Sequence, residues 1–546
     1  MINSMIMRLL LALAAFGMIA TPATAQIDPA ARGLAVQAKA VAGQAQTTAT
    51  QAQAVATQAQ TLAIGRDPLL WTDIGDSRVD ADFINPAQTA FNMRSSLIWA
   101  RQLTGQRFVV GPTFGKSGDR TDQFFPRLSQ VLATQAGGVR FLGCLNDIAQ
   151  NYPTASTSGA TCATNIISMS ETCRLAGMKV IIELEVGSST INAAQVQQVH
   201  EANQRLMDYQ ETATGVYLSD ARAIVMNPTA STTTIAGRPG YFLDGVHGIS
   251  RAEYYRAQGT LVPIFNTILP PRNVLIRSGT ELPTNGRWQL ALNPIFATAT
   301  GGTIETKTAT ATTNSTTTLA VTAGALPPIG STIAGAGIPA GTTITAQPAG
   351  GGFGNYTMSQ AATASASAVA VTITAVSGPV PANWTLGTVG QSTGTATTQI
   401  DPDGLGNNTV VTCNWVLAGD GCRFYQTVGS TYWAIGDIVQ AVAQVQVTGP
   451  SACLAAVRLD MFVNGTTASV NASTEVQDGY HATTTGSVGP DQAFTATLMT
   501  RPFKVPTYDT KGYLAPYIYI EGSCAGTVTA VIKQVGVKRR LSAPAG

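Results

Sequence analysis

The residues of this chain best suited to chemistry lie in four short blocks: Ile74-Gly75-Asp76-Ser77, Lys116-Ser117-Gly118-Asp119, Gly143-Cys144-Leu145-Asn146-Asp147 and Asp244-Gly245-Val246-His247. Together they supply a nucleophile, donors for an oxyanion, a base and an orienting carboxylate, the set that acyl transfer requires. A serine hydroxyl is a weak nucleophile until a base takes its proton. The fourth block offers that base, because Asp-x-x-His sets a carboxylate and an imidazole in one turn; the carboxylate can hold Nδ1–H and leave Nε2 facing a hydroxyl. Of the three histidines, His200 sits in a polar helical stretch and His481 in a β-rich region, which leaves His247 as the candidate base. Ser77 has a second, compatible reading as the start of a helix.

These blocks need elements to hold them. Apolar runs at Leu69–Ile74, Arg107–Val110 and Val139–Leu142 each lead into one of the first three blocks, and Met178–Val186 and Gly215–Ala221 supply two more strands. Helical stretches such as Ala194–Gln210 lie between them. Strands alternating with helices indicate a parallel sheet wrapped by helices, with functional residues on loops at the carboxyl ends of the strands.

In block order and content, the stretch from Asp67 to Leu269 resembles the SGNH hydrolase superfamily, also called GDSL esterases. The resemblance implies an α/β fold of three layers, Ser77 as nucleophile, and Asp244 and His247 as its partners. It also implies an oxyanion hole made by the N–H groups of Ser77 and Gly118 and by the Asn146 side chain, with no cofactor and no metal. Two departures stand out: Thr113 occupies a position where the family often has asparagine, and two residues rather than one separate Gly143 from Asn146. Asp401–Asn408 carries oxygen ligands of the kind calcium uses, in a pattern equally common in plain turns. Glu183 and Glu185 alternate with apolar residues and read as strand-end solvation or as groups facing the site.

The rest of the chain sets the context. Residues 1–25 carry Arg8, an apolar run and Ala23-Thr24-Ala25, the pattern of a bacterial-type secretory signal. Residues 26–65 contain heptads (QAKAVAG, QAQTTAT, QAQAVAT, QAQTLAI) with Ala and Val, Thr or Leu at 3-4 spacing, a coiled-coil seam that allows homo-oligomers, a trimer preferred. The hydrolase-like region is placed at 66–285, and a jelly-roll-like β-sandwich, resembling a carbohydrate-binding module, at 286–546. A Thr/Gly/Ala-rich β module at 306–375 interrupts it. Many short strands with Gly and Asn turns support the β assignment.

A net charge of +2 with 11% charged residues excludes the basic field that nucleic acid demands. Seven cysteines in an exported chain allow three disulfides. Spacing suggests Cys162–Cys173, Cys413–Cys422 and Cys453–Cys524, with Cys144 left over, though spacing alone does not fix connectivity. The sequence thus predicts a secreted, periplasmic or cell-surface serine esterase, without membrane insertion once the signal is removed, acting on acyl and preferentially acetyl esters of a polysaccharide or on a small ester. A lipase, thioesterase or polyester-type esterase is the alternative within the class, and a tail-fibre-like adhesin on an esterase scaffold the alternative outside it.

Overall fold

The computed structural model describes residues 65–540 except 84–87, 89–90, 151–157, 228–234, 279–288, 450–452, 466–473, 481–488 and 506–510. The signal-like segment, the heptads and His481 lie outside the described residues.

Five parallel strands form the sheet that the alternation predicted: β1 (Asp67–Gly75), β2 (Val109–Gly115), β3 (Ala136–Leu142), β4 (Lys179–Glu183) and β5 (Val216–Ser219), in the order β2-β1-β3-β4-β5. Adjacent strands run about 4.8 Å apart, so register decides which loops meet. Gly75 pairs with both Gly115 and Leu142, which aligns the ends of β1, β2 and β3. The first three blocks therefore leave the sheet side by side.

Helices cover both faces. Against one lie α1 (Ser77–Asp80) at the sheet's end, α2 (Ser96–Leu103), α8 (Ser250–Arg256), a π-turn at Ala257–Leu261 and α9 (Val262–Ile268). Trp99, Leu261 and Phe265 there join Trp71 and Val110 in one apolar cluster. The other face carries α3 (Phe125–Ala133), α4 (Leu145–Ala149), α5 (Ser158–Leu175) and α6 (Ala193–Thr212), with Leu128, Ile148, Ile166 and Val199 on Val139, Phe141 and Val180. A short helix, α7 (Arg222–Val225), follows β5.

Beyond Leu292 the described chain is strand and turn. Two seven-stranded sheets share an interior that includes Trp384, Phe424, Val445, Leu459, Ile518 and Val535. Between them in sequence, Thr306–Thr374 builds its own six-stranded sheet around Ala311, Leu319, Tyr356, Val371 and Ile373. Thr303–Ile304 pairs directly with Thr385–Leu386, on either side of that six-stranded sheet in sequence. The β unit and the parallel sheet are not separate bodies: Phe494 lies edge-on to Trp99 at 5.5 Å, and Arg101 donates to the Met499 carbonyl at 2.6 Å.

The disulfides correct one expectation. Cys413–Cys422 and Cys453–Cys524 form as spacing suggested, but Cys162 pairs with Cys144, and Cys173 is the buried free thiol. Cys162 and Cys173 both lie in α5. Eleven residues of helix separate Cα atoms by about 16 Å, well past the roughly 7 Å that a disulfide spans.

Candidate active site

β1 gives way to α1 within two residues. Asp76 caps the helix by accepting from the Arg78 N–H at 3.0 Å, and Ser77 is the first helical residue. The turn is this tight because glycines admit it: a Cβ on Gly75 would sit 2.3 Å from the Leu142 carbonyl, and one on Gly115 would sit 2.1 Å from the Asp80 nitrogen. At this corner the Ser77 N–H donates to no other group among the described residues.

The second block is a loop after β2, with Gly118 at φ +81°, a conformation side-chain-bearing residues avoid. Asp119 anchors it through Arg127, whose guanidinium also donates to the Gly75 carbonyl at 3.2 Å, and Ser117 donates to Asp80 at 2.9 Å. Like that of Ser77, the Gly118 N–H has no acceptor among the described residues.

In the third block the spacing departure has a structural answer. Cys144, rather than Gly143, takes the positive φ (+100°) and opens α4, so the residue in a glycine-like conformation is followed by one residue and then Asn146. The disulfide to Cys162 ties this corner to α5. Asn146 Nδ2 donates to the Asp119 carbonyl at 2.9 Å, which fixes the amide against the Gly118 loop. Next to it, Asp147 accepts from the Thr121 N–H and hydroxyl at 3.0 and 2.7 Å; burial nonetheless pushes its carboxyl up to about 6.

The fourth block forms a tight loop in which Phe242 bridges Gly248 and the Leu243 N–H donates to the His247 carbonyl. Asp244 accepts from the N–H groups of Val246 and His247 at 3.0 and 2.8 Å and from His247 Nδ1 at 2.7 Å. Burial works to raise this carboxyl, but those bonds outweigh it and hold it at about 2. Ionised at neutral pH, it can only accept, so the Nδ1 proton belongs to the imidazole and Nε2 is left as an acceptor. Nε2 lies 2.7 Å from Ser77 Oγ. The sheet thus joins Ser77, His247 and Asp244 in one chain of hydrogen bonds and brings Asn146 to the Gly118 loop. His200 is exposed on α6 and bonds none of the three.

Sequence reasoning missed what lies beneath. Glu183 and Glu185 are neither solvated nor facing the site: both are buried in ion networks. Arg78 donates to Asp76 at 3.0 and 2.7 Å and to Glu185 at 2.9 and 2.8 Å. Burial opposes its charge, but the two carboxylates raise the guanidinium well above its ordinary value. Arg140 joins Asp73 (2.9 Å) to Glu183 (2.6 Å), and Arg256 bonds Glu183 and Glu253. Burial would raise Glu183, but Arg256 and Arg140 bring it to about 2. The available signal was charged residues inside apolar strands, as in GGVRFL and VIIELEV.

No group of three or more His, Cys, Asp or Glu residues among the described residues is arranged to hold a metal ion. Asp401–Gly406 is a self-bonded turn, with the Asp403 N–H on Asp401 Oδ1 and the Asp401 N–H on the Gly406 carbonyl. No described helix is long and apolar enough to cross a membrane.

Against known proteins, the likeness is structural. No family model matches the chain, and no curated protein does. Among solved structures it is similar to a GDSL-like lipase from Bacteroides thetaiotaomicron: 18% identity, 40% of this chain and 98% of the other, TM-score 0.27. It is also similar to a catalytic mutant of an acetylxylan esterase from Geobacillus stearothermophilus: 13% identity, 38% and 99%, TM-score 0.30. At scores this low, the site's own geometry has to carry any reading of its chemistry.

Proposed function

We propose that this chain is a secreted serine ester hydrolase of the SGNH type. The observation that carries the reading is the relay Ser77 Oγ to His247 Nε2 to Asp244, with 2.7 Å at each link. His247 Nε2 takes the hydroxyl proton as Ser77 Oγ attacks the ester carbonyl carbon. The N–H groups of Ser77 and Gly118 and the remaining amide hydrogen of Asn146 receive the oxyanion; one such donor is worth roughly 10²–10³ in rate. His247 then protonates the departing alcohol. Water resolves the acyl-enzyme with His247 again as base.

The preferred acyl group is acetyl and its carrier a polysaccharide, a reading supported by the secretory pattern of residues 1–25 and the large β unit after the hydrolase-like region. Residues 66–285 are assigned to catalysis and 286–546 to the sandwich, with 306–375 inserted, and the heptads to self-association.

The test is hydrolysis of p-nitrophenyl acetate, a long-chain p-nitrophenyl ester and acetylated xylan by wild-type and Ser77→Ala protein. The expected result is turnover of the acetyl esters, reduced by roughly 10⁴-fold or more in the variant. Wild-type turnover by a folded Ser77→Ala protein overturns the assignment.

A further inference from the structure

At the opposite end of the parallel sheet from Ser77 lies a cavity of about 470 Å³, within the roughly 300–1,000 Å³ usual for small-ligand sites. Gly105, just before β2, and the chain after α9 (272–277) form one wall; the β unit forms the other through Asp401–Leu405, Gln444, Thr497 and Gln534. Since the catalytic blocks follow the carboxyl ends of the strands, and β2 alone spans roughly 20 Å, this cavity is no part of the Ser77 site.

Three of its lining residues are nearly buried and present polar atoms that no described protein group bonds. Gln534 is 4% exposed; its Oε1 accepts from the Ile276 N–H at 2.6 Å, which orients the amide and leaves Nε2 with no acceptor among the described residues. Thr497, also 4% exposed, has a hydroxyl without a partner there, its carbonyl being used by Gln106. Asp401, 7% exposed, has one oxygen on the Asp403 N–H and the other unbonded. These atoms open onto the cavity and are not sealed inside the protein, so a ligand entering it meets donors and acceptors that no described protein group uses.

The charge balance selects the ligand. Arg272 and Arg277 face Asp401 and Asp403 around the same space, so neither an anion nor a cation is favoured as a whole. A neutral molecule carrying many hydroxyls satisfies the set: each hydroxyl donates a hydrogen bond to the Asp401 carboxylate or accepts one from the Gln534 amide. Leu275 and Leu405 offer apolar surface to C–H faces. We propose that this cavity is a non-catalytic binding site for a neutral saccharide of one or two rings.

Titration calorimetry of the full chain with xylobiose, cellobiose, maltose and N,N′-diacetylchitobiose tests it, because none is an ester substrate and Ser77 need not act. At least one is expected to bind with a Kd of about 1 mM or tighter. Asp401→Asn, which keeps the shape, and Gln534→Leu should each weaken binding roughly tenfold or more, with p-nitrophenyl acetate hydrolysis unchanged. The proposal is overturned if none of the four binds at about 10 mM, if Asp401→Asn binds like wild type, or if calcium alone occupies the cavity, seen as a calcium-dependent rise in Tm that Asp401→Asn abolishes.

Discussion

The inserted module at Thr306–Thr374 fills its interior with Ala311, Leu319, Val321, Tyr356, Val371 and Ile373 and buries no charged side chain. The parallel-sheet region instead holds Asp73, Asp76, Arg78, Asp82, Arg140, Glu183, Glu185, Glu253 and Arg256 at 8% exposure or less. Apolar burial is non-directional and stabilises almost wherever volume is filled. Buried ions add little net stability against apolar replacements of similar size, yet removing one partner is severe. Their placement shows what they fix: Asp76 and Arg78 flank Ser77, and the Glu253 carboxylate packs so closely on Gly248, beside His247, that a Cβ there would meet Oε1 at 2.2 Å. One region holds itself together, and the other holds particular atoms in place.

The comparison breaks most readily at Arg78. Arg78→Met leaves Asp76 and Glu185 buried without their cation and should cost about 3–5 kcal/mol, read as a lower midpoint in urea, with a fall in kcat exceeding any change in KM. In the module, Ile373→Val should cost only about 1 kcal/mol and leave ester hydrolysis untouched. Equal effects from the two variants would mean that the ion network does no more than pack.

Asp147 sharpens the contrast through pH. Its folded pKa is raised to about 6, so the folded state binds a proton that the unfolded chain has released, and this group's stabilisation declines as pH rises from about 4 to 6. The full swing is roughly 2–3 kcal/mol. Asp147→Asn should flatten the Tm profile across that window, and an unaltered slope would assign the pH dependence elsewhere.

The smallest effect concerns Cys173. Burial pushes its thiol up to about 12, so Ellman's reagent should find no reactive thiol in the native protein and one after unfolding. Peptide mapping should then recover Cys144 linked to Cys162.

What the sequence revealed and what it hid divide along chain distance. The strands into Ser77, Gly118 and Asn146 and the turn that holds Asp244 and His247 are local patterns, and each was legible. Glu183 was misread because its partners Arg140 and Arg256 lie 43 and 73 residues away, and Glu185 because Arg78 lies 107 away. The same distance hid the seam between the sheet and the β unit, where Phe494 meets Trp99 and Arg501 stacks over Phe83. The disulfide was misread for the opposite reason: Cys162 and Cys173 are close in sequence, and the helix between them holds them apart.

The central claim, that His247 activates Ser77, is tested most directly by treating the protein with a fluorophosphonate and mapping the adduct by mass spectrometry. The account predicts one adduct, on the peptide containing Ser77, formed rapidly in wild type and slowed by orders of magnitude in His247→Ala, since the unassisted hydroxyl is a poor nucleophile. No adduct on folded wild-type protein, or equally fast labelling of Ser77 without His247, would contradict it.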